Sequence, residues 1–382
     1  MSSIMVSYLM RSVVLSFYAI LILGVLSQLV VNFREKQRLQ QSESAEGYSK
    51  EEPINMVLIV LILIFSAIVC QIKCDFEIVA DPKVLVVIVM AGIPMGLVAI
   101  FVLSQLVQAI RGVEKVRRWG LRSEKNQLSD REKKLLDMSR KFFHVLVFVI
   151  ITVGLLVADN TLKNLIAENP GDTYYSEKLA NFWGSVDPAE YLANIFKLEA
   201  FATSRAIIVL AAIGASVVLL SIEITRLSDK YHFPFHKTVQ RNLRTNELDC
   251  FASYTHFMVG YTFAAIMLPS ILWLATLSII AFGDAAASTI GMKFGKHKIS
   301  HNGKSWEGVV AGFVCTLIPV YLLVGPFYAI TAAISFALID IFTPKPIKAS
   351  DNILVPVVIT VIFIIIGLLG VPVTSPLNIG VV

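Results

Sequence analysis

Apolar residues come in long runs separated by short polar segments. Taking about 17–25 apolar residues as one crossing of a bilayer, ten helices are predicted, near residues 12–31, 55–72, 84–110, 142–157, 205–222, 252–268, 270–290, 307–325, 326–342 and 353–371. The fold class that follows is all-α, a polytopic transmembrane bundle of about ten spans. Two pairs of spans meet at Pro269 and at Gly325–Pro326, where proline's missing N–H and its restricted predecessor favour a tight hairpin. The first run reads as a transmembrane helix and not a removed signal, because others of similar length follow and no small-residue cleavage site closes it. Between the fourth and fifth spans, Tyr174, Tyr175, Phe182, Trp183 and Tyr191 and the helical spacing after Pro188 predict an interfacial helix lying on the membrane. The polar stretch Gln37–Pro53 is expected to be mobile. No internal repeat is evident.

Composition agrees with this pattern. Of the 382 residues 56% are hydrophobic and 16% charged, with mean hydropathy +0.72, against roughly 25% charged in a soluble domain. The net charge of +5 lies in loops, which argues for topology and against nucleic acid as a partner. Every second loop is basic: Arg34, Lys36, Arg38 and Lys50 in the first, eleven Lys/Arg from Arg111 to Lys141 in the third, Arg226 to Arg244 in the fifth, Lys293 to Lys304 in the seventh, Lys345 and Lys348 in the ninth. Basic segments stay cytoplasmic. The chain is therefore expected to be an integral, multi-pass membrane protein with both termini outside and its basic loops in the cytoplasm. Cys70, Cys74, Cys250 and Cys315 lie in or beside apolar runs without the spacing of a zinc site, and read as packing residues.

Candidate chemistry concentrates in Ala281–Gly312, AFGDAAASTIGMKFGKHKISHNGKSWEGVVAG. A carboxylate inside an apolar helix costs roughly 2.5–3.5 kcal/mol on insertion scales, so Asp284 is expected to face a partner, a metal or a water-filled cavity. The small residues Ala285–Ser288 and Gly291 would let a ligand or a second backbone approach closely, and helix packing accounts for them equally well. Gly295, Lys296, Lys298, Gly303, Lys304 and Ser305 combine glycines with ammonium groups suited to oxyanions, while topogenic charge is the competing reading for the lysines. A Walker A site is rejected, since Lys298 replaces its first glycine and no strand precedes the loop. Glu307 opens the next helix, where capping and metal binding are alternative roles.

Three further clusters carry ionisable groups. Arg140, Lys141 and His144 share one helix face at the start of a span, with a satisfied buried histidine as the alternative for His144. Glu223 with Arg226, and Arg244 with Glu247, have the spacing of helical ion pairs. Asp340 ends one span, and Asp351-Asn352 precede the last, where Asp351 is also suited to cap the helix.

Taken in order, RKFFH at 140–144, IEITR at 222–226, LRTNE at 243–247, GDAAASTIG at 283–291, FGKHKI at 294–299, GKSWEG at 303–308 and DNILVP at 351–356 resemble the CTP-dependent polyprenol (dolichol) kinase family, which includes phytol kinase and the CTP-dependent diacylglycerol kinase. The resemblance covers roughly 139–371, so residues 1–138 are expected to form an N-terminal membrane segment with its basic loop and 139–382 the catalytic transmembrane domain. Trp306 stands where an aliphatic residue or Phe is more usual, and Asp340 where Glu is. The resemblance implies phosphoryl transfer from CTP to the hydroxyl of a lipid alcohol, dolichol or polyprenol, at the cytoplasmic face, with Mg²⁺ or another divalent cation. The family's residues map onto Arg140, Lys141, Asp284, Gly291, Lys304, Glu307, Asp351 and Asn352; with His144 added from the basic cluster, the expected catalytic set is Arg140, Lys141, Asp284, Asp351 and His144, with Asp284, Asp351 and Glu307 as metal ligands. Nucleotide contacts would then come from Arg244, Gly291, Gly295, Lys296, Gly303, Lys304, Ser305 and Asn352. Two other readings stay open: a cytidylyltransferase acting on a phospholipid acid, and a secondary transporter, which predicts repeat symmetry and ionisable groups at mid-membrane.

Overall fold

The computed structural model describes residues 15–16, 18–19, 21–30, 53–73, 130–169, 203–227, 243, 247 and 250–377. These are mostly helical (82%), and no strand occurs among them. In chain order the helices are α1 (Leu21–Val30), α2 (Pro53–Lys73), α3 (Asp130–Glu168), α4 (Thr203–Leu227), α5 (Ser253–Met267), α6 (Ser270–Ser278), α7 (Ala285–Phe294), α8 (Trp306–Val324), α9 (Pro326–Phe342) and α10 (Asp351–Leu368). A π-helical turn, Ile279–Asp284, joins α6 to α7 without a break.

Among the described residues, three helices are long and apolar enough to cross a membrane: Ser270–Phe294, Trp306–Val324 and Asp351–Leu368. They mark the chain as a membrane protein. Helices overlie the expected apolar runs except 84–110, which lies outside the described residues, as do the interfacial helix after Pro188 and the polar stretch 37–52. One helix departs from expectation in length. The apolar run at 142–157 is the middle of the 39-residue α3, about 58 Å at 1.5 Å per residue. No proline interrupts 130–169, and the helix stops just before Asn169-Pro170, where proline disfavours a helical predecessor.

The chain forms two compact units, Met1–Glu132 with Leu210–Thr262, and Lys133–Val209 with Phe263–Val382. Residues 210–262 group with the N-terminal segment in the first of these units. In the first unit Gly24 of α1 lies so close to Ile224 of α4 that a Cβ there would meet the Ile224 side chain at 2.7 Å. Ser216 and Thr262 hydroxyls, 2.6 Å apart, stitch α4 to α5, and Thr262 also donates to the Ala212 carbonyl at 3.0 Å. Hydroxyls on facing helices are the usual polar glue in lipid.

In the second unit α8 is the hub, packing on α6, the π turn, α7 and α9, while α10 packs on α9 and α6. Every residue of α6 is buried, as expected of a helix apolar all round at the centre of a bundle. The helix breaks form where proline predicts them, and α8 and α9 pair across the second. Pro269 precedes α6 and accepts from the Trp273 N–H at 2.9 Å. Gly325 adopts φ 95° and Pro326 takes the first position of α9, where its missing N–H costs nothing.

Candidate functional site

The site is assembled from small residues upward. Gly283, Ala287 and Gly291 face Thr316, Gly312 and Gly308 of α8, and a Cβ on Gly308 would stand 2.7 Å from the Ala287 carbonyl. This close approach fixes the π turn against α8. A π turn holds an extra residue, which swings every following side chain by about 100° relative to a continuous α-helix. Asp284, the last residue of that turn, is aimed by this offset into a cleft lined also by Ile280, Phe336, Asp340, Asp351, Asn352 and Val355.

Two lysines enter the cleft's charge balance. Lys141, on α3, forms an ion pair with Asp284, both side chains being largely buried. The Phe148 ring, two turns further along α3, packs edge-on to Phe282 at 5.0 Å and holds α3 in register. Lys304, in the loop before α8, lies 2.6 Å from Asp340 Oδ1 and 3.1 Å from Asp351 Oδ2, and reaches Thr343 Oγ1 at 3.5 Å. Burial opposes its charge, but Asp351 and Asp340 outweigh burial and hold the ammonium above the ordinary lysine value. It stays charged across the neutral range. Three aspartates and two lysines thus meet at the cleft.

The loop 295–305 is ordered by its own polar groups. Ile299 N–H donates to the Lys304 carbonyl (2.7 Å) and Gly303 N–H to the Ile299 carbonyl (3.0 Å), with Gly303 at φ 74°, a conformation that glycine adopts at little cost. Ser305 caps α8, accepting from Gly308 N–H at 3.2 Å. Glu307 accepts from the N–H groups of Lys296 and His297 at 3.1 Å each and meets the His297 ring at 2.7 Å. Asn302 donates to carbonyls at the end of α9, and its own oxygen accepts from Lys304 N–H.

Of the residues singled out in the sequence, the fold brings Lys141, Asp284, Lys304, Asp351 and Asn352 together. His144 lies one turn beyond Lys141 and is half-buried. Others serve elsewhere. Gly291 and Gly295 pack against Ser305, which itself is a helix cap, and the Lys296 side chain is exposed. Glu307 does not line the cleft: its carboxylate is engaged by the loop backbone and His297. Gly303 supplies a turn. The side chains of Arg140 and Arg244 lie outside the described residues. Asp340 had no role assigned from sequence, although a buried carboxylate near the end of an apolar helix also calls for a partner.

A second polar cluster belongs to the other unit. The fully buried Glu223 carboxylate receives Arg226 Nε (2.9 Å) and Nη2 (2.6 Å), Ala252 N–H (2.8 Å) and the Tyr254 hydroxyl. Arg226 also donates to the Cys250 carbonyl, and Glu247 accepts from Ser253 N–H at 3.3 Å. The carboxylate is saturated, and the cluster clasps the end of α4 to the start of α5.

Among the described residues no three His, Cys, Asp or Glu side chains form a ready cage for a metal ion. The cleft's donors are nevertheless hard oxygens, and Mg²⁺ is commonly held by one or two carboxylates together with substrate phosphates and water.

The sequence matches no family profile, and no solved structure is similar to it. It is similar to an uncharacterized protein of Methanocaldococcus jannaschii, 29% identical over 147 residues that span 38% of this chain and 74% of that protein.

Proposed function

We propose that this protein is a CTP-dependent lipid-alcohol kinase that phosphorylates the hydroxyl of a polyprenol such as dolichol. The observation that carries the reading is the convergence of Lys141, Asp284, Lys304 and Asp351, drawn from four separate sequence motifs, on one partly buried cleft. Phosphoryl transfer needs charge neutralisation and alignment more than covalent help from the protein. In this reading Lys304 and Lys141 turn from their carboxylates to the phosphate oxygens. Asp284 and Asp351, with Asn352, then hold the divalent cation that accompanies the nucleotide and neutralises its phosphates. Ile280, Phe336 and Val355 give the cleft an apolar wall, suited to the first carbons of a lipid whose hydroxyl meets the acids. Ten transmembrane spans, with the basic loops and the cleft on the cytoplasmic side, complete the proposal.

Its test is purified protein supplied with CTP labelled at the α or the γ phosphate, with polyprenol, phytol, diacylglycerol or phosphatidate as acceptor. Transfer of the γ label to polyprenol is expected, with ATP a poor substitute. Transfer of the α label to phosphatidate would establish the cytidylyltransferase instead, and Asp284-dependent uptake into vesicles would establish a transporter.

A further inference from the structure

The position of Lys304 depends on a residue that no reading of the motifs assigns. We infer that Asn302 is the positioning residue of the cleft, tying the lysine's loop to the helix end that carries Asp340. Its amide nitrogen lies 3.2 Å from the Asp340 carbonyl, 2.7 Å from that of Ile341 and 3.1 Å from that of Thr343. Its oxygen accepts from the Lys304 N–H at 3.0 Å. The last carbonyls of a helix have no partner within it, and an Asn NH₂ supplies two donors while its oxygen remains an acceptor. Turned over, the amide would set its oxygen against three carbonyls, so the surroundings fix its orientation. His301 adds a ring contact to the Ile341 carbonyl at 2.7 Å.

One side chain therefore sets both ends of the ion pair: the backbone of Lys304 and the turn of α9 from which Asp340 projects. Only an amide does this. Ala offers neither donor nor acceptor. Asp keeps an acceptor for Lys304 N–H but loses the donors and sets a negative charge against the α9 carbonyls.

The inference rests on the proposed function only for the cleft's role in catalysis, so the test reads Lys304 without any nucleotide. Full-length protein is treated with an amine-acylating reagent, and modification of Lys304 is followed by mass spectrometry against Lys298, which is exposed in the same loop. In the wild type Lys304 is expected to react several-fold more slowly than Lys298, because it is half-buried and held by two carboxylates. Asn302→Ala and Asn302→Asp are both expected to raise the Lys304 rate toward that of Lys298 while leaving Lys298 unchanged. Protection retained in both variants would overturn the inference. Protection lost in Ala but retained in Asp would also overturn it, since the bond to Lys304 N–H would then suffice without the α9 clamp. A rise in both lysines together would signal a disordered loop and count against a specific positioning role. If the kinase reading holds as well, Asn302→Asp lowers kcat with CTP more than it raises KM; absent turnover in the wild type would overturn that reading and leave the labelling result standing.

Discussion

Lys304 is balanced between two carboxylates, and a phosphate approaching the cleft would compete with them for the same ammonium. That competition distinguishes a binding lysine from a topogenic one. Lys304→Ala is expected to lower kcat by roughly 10²–10³, the usual effect of removing one preorganised electrostatic contact. Restoring the loop's charge with Ser300→Lys should not recover activity, because Ser300 is exposed and outside the Asn302 clamp. Recovery measured in that double variant would reduce Lys304 to a topology signal. Asp284→Asn should abolish turnover in a protein that still inserts and elutes as a single species, and near-normal activity would remove Asp284 from the site. Sequence exposed Asp284, Lys304 and Asp351 because charge beside or within an apolar run demands a reason. It gave Ser305, Gly291 and Gly295 a ligand role, although their surroundings are helix capping and packing. Asn302 was hidden, since an asparagine in a polar loop looks like any turn residue until the helix end it clamps is known.

At the scale of elements, the small residues decide how closely α7 and the π turn approach α8. A Cβ at Gly312 would stand 2.9 Å from Ala287 Cβ and 3.1 Å from the Gly283 carbonyl, and would press on the Phe336 ring that lines the cleft. Gly312→Val is thus expected to destabilise the protein by about 1–3 kcal/mol, the usual cost of overpacking, and to reduce activity through Phe336. Gly154, in the middle of α3, has open space around it, with nothing within 4 Å of the point a Cβ would occupy. Gly154→Ala should be neutral or stabilising by up to about 1 kcal/mol, since alanine is the better helix former. Thermal unfolding of the two variants in one detergent checks both, and equal midpoints would mean the α7–α8 contact is looser than it looks. The helix breaks at Pro269 and Pro326 were legible because proline acts locally. The π turn was not: it depends on which residues of α8 lie opposite, information that a helical period read along α6 and α7 does not contain.

Among the described residues, exposed apolar side chains run along single faces of α8 and α9. Phe327, Ile330, Ile334, Leu338 and Phe342 run along α9, and Val310, Val314, Ile318 and Tyr321 along α8, opposite the buried Gly308, Gly312 and Thr316. In water such stripes would be costly; against lipid tails they are the natural outer surface, while small residues meet inside. Lys304, Asp340 and Asp351 lie at or beside helix ends, whereas a transporter is expected to hold its ionisable groups at mid-membrane. The same placement makes orientation testable. Lys125 lies in the most basic loop and Lys296 in the loop beside the cleft, and the charge bias assigns both to the cytoplasm. Single cysteines at these positions, in a background without the four native ones, are expected to react with an impermeant maleimide in inverted vesicles and not in intact cells. Because the two loops are separated by an even number of proposed spans, labelling from opposite sides would require an odd number between them and break the ten-span arrangement. Labelling of both from outside would keep the count but reverse the molecule, placing the cleft away from cytosolic CTP and removing the nucleotide on which the proposed reaction depends.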